Sequence, residues 1–323
     1  MYISPFSILI SLPHLITLVS AAANPIGPNP NDKRGLVYVP SKDHPEDDKI
    51  WIQSGSPLTW YYNYQSKPSP SLEGGPTNLQ FIPMLWGDYD NTFVQDVKDL
   101  VDQGYDIQYV LGFNEPDIPA GTGAGGSGVS PENAAARWKE SIEPLAKMGI
   151  KLGAPAVTGA PGGLTWMKAF FEACDTCTVD FIPLHWYGNF DGVASHLGTY
   201  SAAFPNMTFW LTEFAFAHQD VTPSQEFFNL TMEYFDRLDN VGKYSWFGSF
   251  RSDVSNVGPN SALLNEDGGL TYIGAWYLNK DESEAASITG KGGSGNNAPA
   301  LGASIMKSFG VTAFVAVAVS WIL

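Results

Sequence analysis

The sequence predicts an α/β chain folded as a single-domain (β/α)8 TIM barrel over residues 24–290. Three observations lead there. Eight apolar or aromatic runs recur along the chain, helical patterns fall between several of them, and together they fill about 260 residues, a common size for one such barrel.

The strand-like runs are Gly35–Val39, Leu58–Tyr64, Leu79–Trp86, Ile107–Phe113, Lys151–Val157, Val179–Tyr187, Thr208–Phe214 and Tyr244–Phe250. Most are continuously apolar, as parallel strands covered on both faces should be. Thr92–Gln103 places Phe93, Val97, Leu100 and Val101 on one helical face and stops at Gly104. Ser130-Pro131-Glu132 reads as an N-cap followed by proline at the first helical position, with the helix running to Met148. Leu164–Ala173 is a third helix. Thr222-Pro223-Ser224-Gln225 reads as a capping box opening a helix towards Leu238, and Tyr272–Leu278 as the last helix. Pro68–Pro76 reads as a loop. The sequence shows no internal repeat and no second domain.

Residues 1–23 carry no charge, an apolar stretch from Ile8 to Val19 and small residues at the end, the layout of a secretory signal peptide without a basic start. Towards the C-terminus, in the segment 291–323 and from the glycine just before it, a small polar stretch, Gly290–Asn297, leads to an apolar tail, Phe309–Leu323. A spanning helix needs about 20 apolar residues, and the tail is short for one. Small residues, a spacer and an apolar tail make the pattern of a GPI-anchor signal. The expectation is a secreted, GPI-anchored protein at the cell surface or wall, touching membrane only through its anchor.

The formal charge is −16. Such a surface repels nucleic acid and anionic membranes and suits a neutral substrate. Ten tryptophans and 14 tyrosines supply many aromatic faces, which pack cores and also carry the apolar faces of sugars. Cys174 and Cys177 form a lone C-x-x-C. It has neither the second pair of a zinc site nor a thioredoxin-like context, so a local disulfide fits a secreted chain. Asn206-Met207-Thr208 and Asn229-Leu230-Thr231 have the form of N-glycosylation acceptors.

Two strand ends carry the chemistry. Asn114-Glu115-Pro116 follows the fourth run and Thr212-Glu213-Phe214 ends the seventh. Burying a carboxylate is costly, so two apolar strands ending in glutamate need a reason. In a (β/α)8 barrel the strand C-termini form the active site, and strands four and seven lie nearly opposite. Glycoside hydrolysis requires such a pair, one carboxylic acid and one carboxylate. Singly, each glutamate could equally cap a helix or pair with a cation. Trp60, Tyr62 and Asn63, then Trp86, then His185 and Tyr187, and finally Trp246 lie on or near other strand ends as candidate sugar contacts. Alternation turns His185 and Tyr187 one way and Trp186 the other. Tyr187 is the candidate to hold Glu213.

Gly121–Gly126 satisfies G-x-G-x-x-G, but it joins neither a strand nor a helix directly, as dinucleotide binding requires. It reads as a loop beside Glu115. No H-x-H or H-E-x-x-H occurs, so no metal and no cofactor are expected.

Phe81–Gly87, Leu111–Asp117, Leu184–Tyr187 and Leu211–Phe214, taken as an ordered set, resemble glycoside hydrolase family 128. These are fungal and bacterial (β/α)8 proteins acting on β-1,3-glucan. The resemblance covers nearly all of residues 24–290. It implies that Glu115 is the acid/base, Glu213 the nucleophile, and that Asn114 contacts the sugar 2-hydroxyl. The glycine-rich stretch Gly121–Gly128 departs from the family pattern. Family members cut internally, cut from an end, or mainly bind oligosaccharides. The expectation is a monomeric, retaining β-1,3-glucanase with carboxyl groups about 5–5.5 Å apart. The alternative is a wall-anchored β-1,3-glucan-oligosaccharide-binding protein with little turnover.

Overall fold

The structure is a computed structural model that describes residues 32–73, 79–119 and 125–286. The expected leader at 1–23, the tail at 291–323 and most of Gly121–Gly126 lie outside the described residues.

Eight parallel strands form two curled sheets. β1 (Gly35–Val37), β2 (Trp60–Tyr62) and β3 (Gln80–Phe81) make one. β4 (Tyr109–Leu111), β5 (Lys151–Gly153), β6 (Phe181–Tyr187), β7 (Thr208–Ala215) and β8 (Val241–Trp246) make the other. The sheets meet at two seams, each with one parallel bridge: Arg34 to Tyr244 beside β1 and β8, and Met84 to Leu111 beside β3 and β4. Most strands are only two or three residues long. The seams therefore hold by single bridges such as Leu111 N to Pro83 O at 2.9 Å, without the continuous ladder of a complete eight-stranded barrel. The fold is thus α/β around a curled parallel sheet.

Among the described residues, the first two connections carry only 3-10 turns, at Pro45–Ile50 and Pro70–Leu72, where prolines start the turns. Helices follow from β3 onward: α1 (Phe93–Asp102), α2 (Pro131–Ser141), α3 (Glu143–Ala146), α4 (Pro161–Ala173), α5 (Phe190–Ala203), α6 (Val221–Arg237) and α7 (Tyr272–Tyr277). Ser130 caps α2, its side chain accepting from Asn133 N. The single helix expected to reach Met148 is split at Ile142, one residue before Glu143-Pro144. The expected capping box at Thr222–Gln225 does not form. Asp220 is the N-cap, and Pro223 and Gln225 lie inside α6. α5 has no counterpart in the sequence reading. Its Gly192 and Gly198 lower helix propensity, but Gly192 leaves room for the Trp186 indole, which an added Cβ would meet at 2.2 Å. The eighth strand starts at Val241, three residues before the expected Tyr244.

Two apolar layers follow from strand alternation. Val37, Trp60, Tyr62, Ile82, Met84, Leu111, Phe181 and Trp210 fill the inside of the curl. Leu36, Tyr61, Val110, Ile182, Leu184, Phe214 and Tyr244 point outward, into the layer shared with the helices. Cys174, just past α4, is disulfide-bonded to Cys177. Asn206 and Asn229 are exposed. Among the described residues, no helix is long and apolar enough to cross a membrane.

Candidate active site

Simple alternation along β7 would turn Glu213 the wrong way. Trp210 faces in and Leu211 faces out, so Thr212 should face in and Glu213 out. The pairing shows why this fails. Leu184 pairs with Leu211 but His185 pairs with Glu213, and on the other side Leu211 pairs with Tyr244 while Phe214 pairs with Trp246. Thr212 is one extra residue in β7, a bulge that resets the phase. Glu213 then faces inward and Phe214 packs outward against Phe227 and Phe235 of α6. The Thr212 carbonyl accepts from Tyr62 Oη at 3.1 Å and from Ser245 Oγ, which ties the bulge to β2 and β8.

Glu115 reaches the same space differently. Its backbone sits at φ 39°, a left-handed conformation that costs a non-glycine residue of order 1–3 kcal/mol. The amide of Glu115 donates to Ala156 O at 2.7 Å, and its carbonyl accepts from Ile118 N. These bonds hold the turn that aims the carboxyl at His185.

Three side chains converge there. One oxygen each of Glu115 and Glu213 and a nitrogen of His185 all lie within 4.8 Å of one another. His185 Nδ1 is 2.9 Å from Glu115 Oε1 and 3.4 Å from Glu213 Oε2. Glu213 accepts from three phenols: Tyr187 at 2.6 Å on Oε2, and Tyr64 at 2.8 Å and Tyr62 at 3.3 Å on Oε1. All three residues of the cluster are nearly or fully buried.

Burial sets the protonation states. It pushes the Glu115 carboxyl above the usual glutamate value, the Glu213 charge adds to the push, and the bond to His185 opposes it. Burial alone would lower His185, but the charges of Glu213 and Glu115 outweigh it and raise the imidazole. Tyr62, Tyr64 and Tyr187 are pushed far up by burial and by the Glu213 charge, so all three stay neutral donors. Among the described residues, His185 is the one cationic group within salt-bridge distance of either glutamate.

The remaining sequence candidates separate into two sets. Asn114 directly precedes Glu115. Its amide nitrogen donates to Gly125 O at 3.2 Å, while Oδ1 is buried without a partner among the described residues. His185 Nε2 is buried in the same condition. Trp86 is half-buried and packs against the inner cluster. Its carbonyl accepts from Asn114 N at 3.0 Å. These stay beside the glutamates.

Three do not. Trp60 is wholly buried below Tyr62, its indole donating to Lys33 O. It fills the interior one strand layer down and has no open face. Asn63 folds its own loop, its amide donating to Lys67 O and its oxygen accepting from Gln65 N. Trp246 faces outward, packs on Phe214, Phe227 and Phe228, and donates to Ser261 O. Tyr62 is fully buried and meets Glu213 rather than open space. Tyr64 was not among the sequence candidates. It lies two residues past β2 at φ 63°, outside any strand pattern, and only its position in the aromatic cluster Trp60-Tyr61-Tyr62-Asn63-Tyr64 hints at it.

Comparisons with known proteins agree with this arrangement. Residues 35–277 match the family model described as glycosyl hydrolase catalytic core. Alkali-sensitive linkage protein 1 of Schizosaccharomyces pombe is 30% identical over 255 residues, 76% of this chain; the chain spans 44% of that relative's length. A family 128, subgroup III, curdlan-specific exo-β-1,3-glucanase from Blastomyces gilchristii, solved with glucose, is 28% identical with a TM-score of 0.61, covering 78% of this chain and 99% of that one. A family 128, subgroup VII, oligosaccharide-binding protein from Trichoderma gamsii shares the fold at 23% identity and a TM-score of 0.61, covering 79% and 95%.

Proposed function

The chain belongs to the glycosyl hydrolase catalytic core family, in the company of glycoside hydrolase family 128, and from that premise we propose that it is a retaining β-1,3-glucanase. The observation that carries the reading is the buried pair Glu115 and Glu213, with carboxylate oxygens inside 4.8 Å. Inverting enzymes hold their carboxyl groups about 6.5–9.5 Å apart to admit a water, whereas retaining enzymes hold them about 5–5.5 Å apart. The two sheets are read as one eight-stranded (β/α)8 barrel with this pair at its C-terminal mouth.

In the first step Glu213, as carboxylate, attacks the anomeric carbon. Glu115 gives its proton to the glycosidic oxygen as that bond breaks, and a covalent glycosyl ester forms on Glu213. In the second step Glu115, now ionised, takes a proton from water. The water oxygen attacks the anomeric carbon, the ester bond breaks, and Glu213 is restored as carboxylate. Burial raises the Glu115 carboxyl and so favours the protonated form that the first step needs. The three phenols hold Glu213 in line, and the uncommitted Asn114 Oδ1 faces the space a sugar hydroxyl would occupy. No cofactor or metal enters the scheme. Because the acid must start protonated, activity should fall as pH rises through the raised Glu115 value, above the range of an ordinary glutamate.

The second reading is a β-1,3-glucan-oligosaccharide-binding protein with little turnover. The Trichoderma gamsii likeness motivates it. One experiment separates the two. Incubating the protein with laminarin-type β-1,3-glucan should release reducing ends, and Glu213→Gln should stop it. Binding without release would leave only the second reading.

The same proposal places the protein outside the cell, GPI-anchored at the cell surface or wall and acting as a monomer on glucan there. It rests on the sequence patterns at 1–23 and 291–323. A phosphatidylinositol-specific phospholipase should release it from intact cells. Retention of peptides from Phe309–Leu323 in the cell-surface protein would count against the anchor.

A further inference from the structure

Tyr89 is the most exposed large apolar or aromatic side chain among the described residues, with 68% of its surface open. Leaving an aromatic ring in water forgoes the stabilisation its burial would bring, and a mobile loop would let it fold away. This loop is braced instead. The Asp90 carboxylate accepts from Thr92 N and Thr92 Oγ1, both at 2.8 Å. Arg137 reaches over from α2 to donate to the Asp90 carbonyl and, at 2.7 Å, to Asn91 Oδ1. Gly87 lets the ring lie close to its own backbone, since a Cβ there would come 2.9 Å from Tyr89 Cε1.

The braced ring has a specific neighbour. Its centroid lies 5.9 Å from that of Trp86, tilted by 50°. Trp86 packs on the same inner cluster as Tyr62, Tyr64 and Tyr187, the three phenols that hold Glu213. Its carbonyl bonds the amide of Asn114, the residue before Glu115. Trp86 is therefore tied through Asn114 to the segment that carries Glu115, and its ring meets the open, braced phenol ring of Tyr89. The chemistry that fits such a pair of rings is a chain of sugar rings, each with an apolar C–H face and a hydroxyl edge. Asp88 and Asp90 flank the ring, which disfavours an anionic ligand and suits a neutral one.

We propose that Tyr89, together with Trp86, is an outer sugar platform that takes a glucosyl ring beyond the one lying over Glu115 and Glu213, and so gives the protein its preference for longer chains. This rests on the glucan reading above. The platform is tested by binding, so that it fails separately from catalysis. In the Glu213→Gln protein, affinities for a β-1,3-linked glucose disaccharide and hexasaccharide are measured by calorimetry, with and without Tyr89→Ala. The gain in affinity from disaccharide to hexasaccharide should shrink by about tenfold on Tyr89→Ala, equivalent to about 1.4 kcal/mol. Tyr89→Phe should keep most of the gain, because the ring face and not the hydroxyl makes the contact. An equal effect of Tyr89→Ala on both lengths, no effect on either, or a loss in Tyr89→Phe as large as in Tyr89→Ala would overturn the platform. Absence of reducing-end release by the unmodified protein would instead remove the glucanase reading and leave the binding comparison to decide the platform.

Discussion

The two ends of the strand curl are both lined by aromatic rings and both hold a charged group among them, yet they are built for opposite purposes. At the N-terminal floor, Lys243 Nζ lies 5.6–5.7 Å from the ring centroids of Trp60, Tyr109 and Trp210. Those rings fill volume and shelter one cation with their faces. At the C-terminal mouth, Tyr64, Tyr62 and Tyr187 turn their hydroxyls, not their faces, onto the Glu213 carboxylate. A cavity of about 1290 Å³ opens at the floor, lined in part by Tyr105, Tyr109, Lys151 and Asp180. Its Asp180 is already neutralised by Lys151 at 2.8 Å and by Leu152 N. Volume and aromatic content therefore do not locate the chemistry. What distinguishes the mouth is two carboxyls forced together in a dry place, with only one imidazole between them to balance the charge.

The comparison breaks if the mouth can be damaged without loss of activity. Glu213→Gln should abolish measurable glucan hydrolysis. Glu115→Gln should cost about 10²–10⁴-fold, the usual range for a lost acid/base. Both should leave the thermal midpoint near that of the unmodified protein. A comparable loss from Glu46→Gln, an exposed carboxylate beside Arg251, would sink the assignment.

The floor should show the reverse pattern. Trp60→Ala removes a wholly buried indole that contacts Trp210 and donates to Lys33 O. It should cost about 3–5 kcal/mol of stability in a denaturant titration while leaving the turnover of the remaining folded protein intact. Loss of turnover at full stability would mean that Trp60 serves the site after all.

Smaller effects sharpen the contrast. Tyr64→Phe and Tyr187→Phe each delete one donor to the Glu213 carboxylate. Hydrogen bonds to charged groups are worth about 1.5–3 kcal/mol, so kcat should fall about 10- to 100-fold. KM should change less, since both phenols donate to Glu213, the proposed nucleophile. Ser245→Ala, which frees one side of the Thr212 bulge, should cost less than either.

The smallest effect concerns the partly buried Lys243. Burial lowers Lys243 to about 8, against which Asp32 acts only weakly. The folded chain thus releases this proton near pH 8, while the unfolded chain holds it to the ordinary lysine value. Stability attributable to Lys243 therefore rises with pH across that window and is lost as pH falls back through it. Lys243→Met should raise the thermal midpoint at pH 7 and lose that advantage towards pH 10. A constant difference across that range would show that the rings already compensate the charge.

Much of this was legible in the residues. The presence of α1, α2, α4, α6 and α7, the two glutamates at strand ends and the shared direction of His185 and Tyr187 follow from apolar runs, helical periodicity and period-two alternation. What escaped follows from features that such patterns do not encode. The Thr212 bulge is invisible in the order Trp210-Leu211-Thr212-Glu213, yet without it Glu213 would face the helices. Tyr64 acts from a left-handed backbone position beyond its strand, where alternation no longer predicts direction. Trp246 was placed at the site by its position near a strand end, although it shares the outward phase of Tyr244 two residues earlier. α5 escapes a propensity reading because it carries two glycines, of which Gly192 serves the packing of Trp186.

The account stands most directly on the stereochemistry of the product. Proton NMR during the first turnovers on a β-1,3-glucan oligosaccharide reads the anomer before mutarotation mixes the two forms. Short separation of Glu115 and Glu213 with a covalent ester on Glu213 predicts that the β-anomer appears first. Initial appearance of the α-anomer would contradict it.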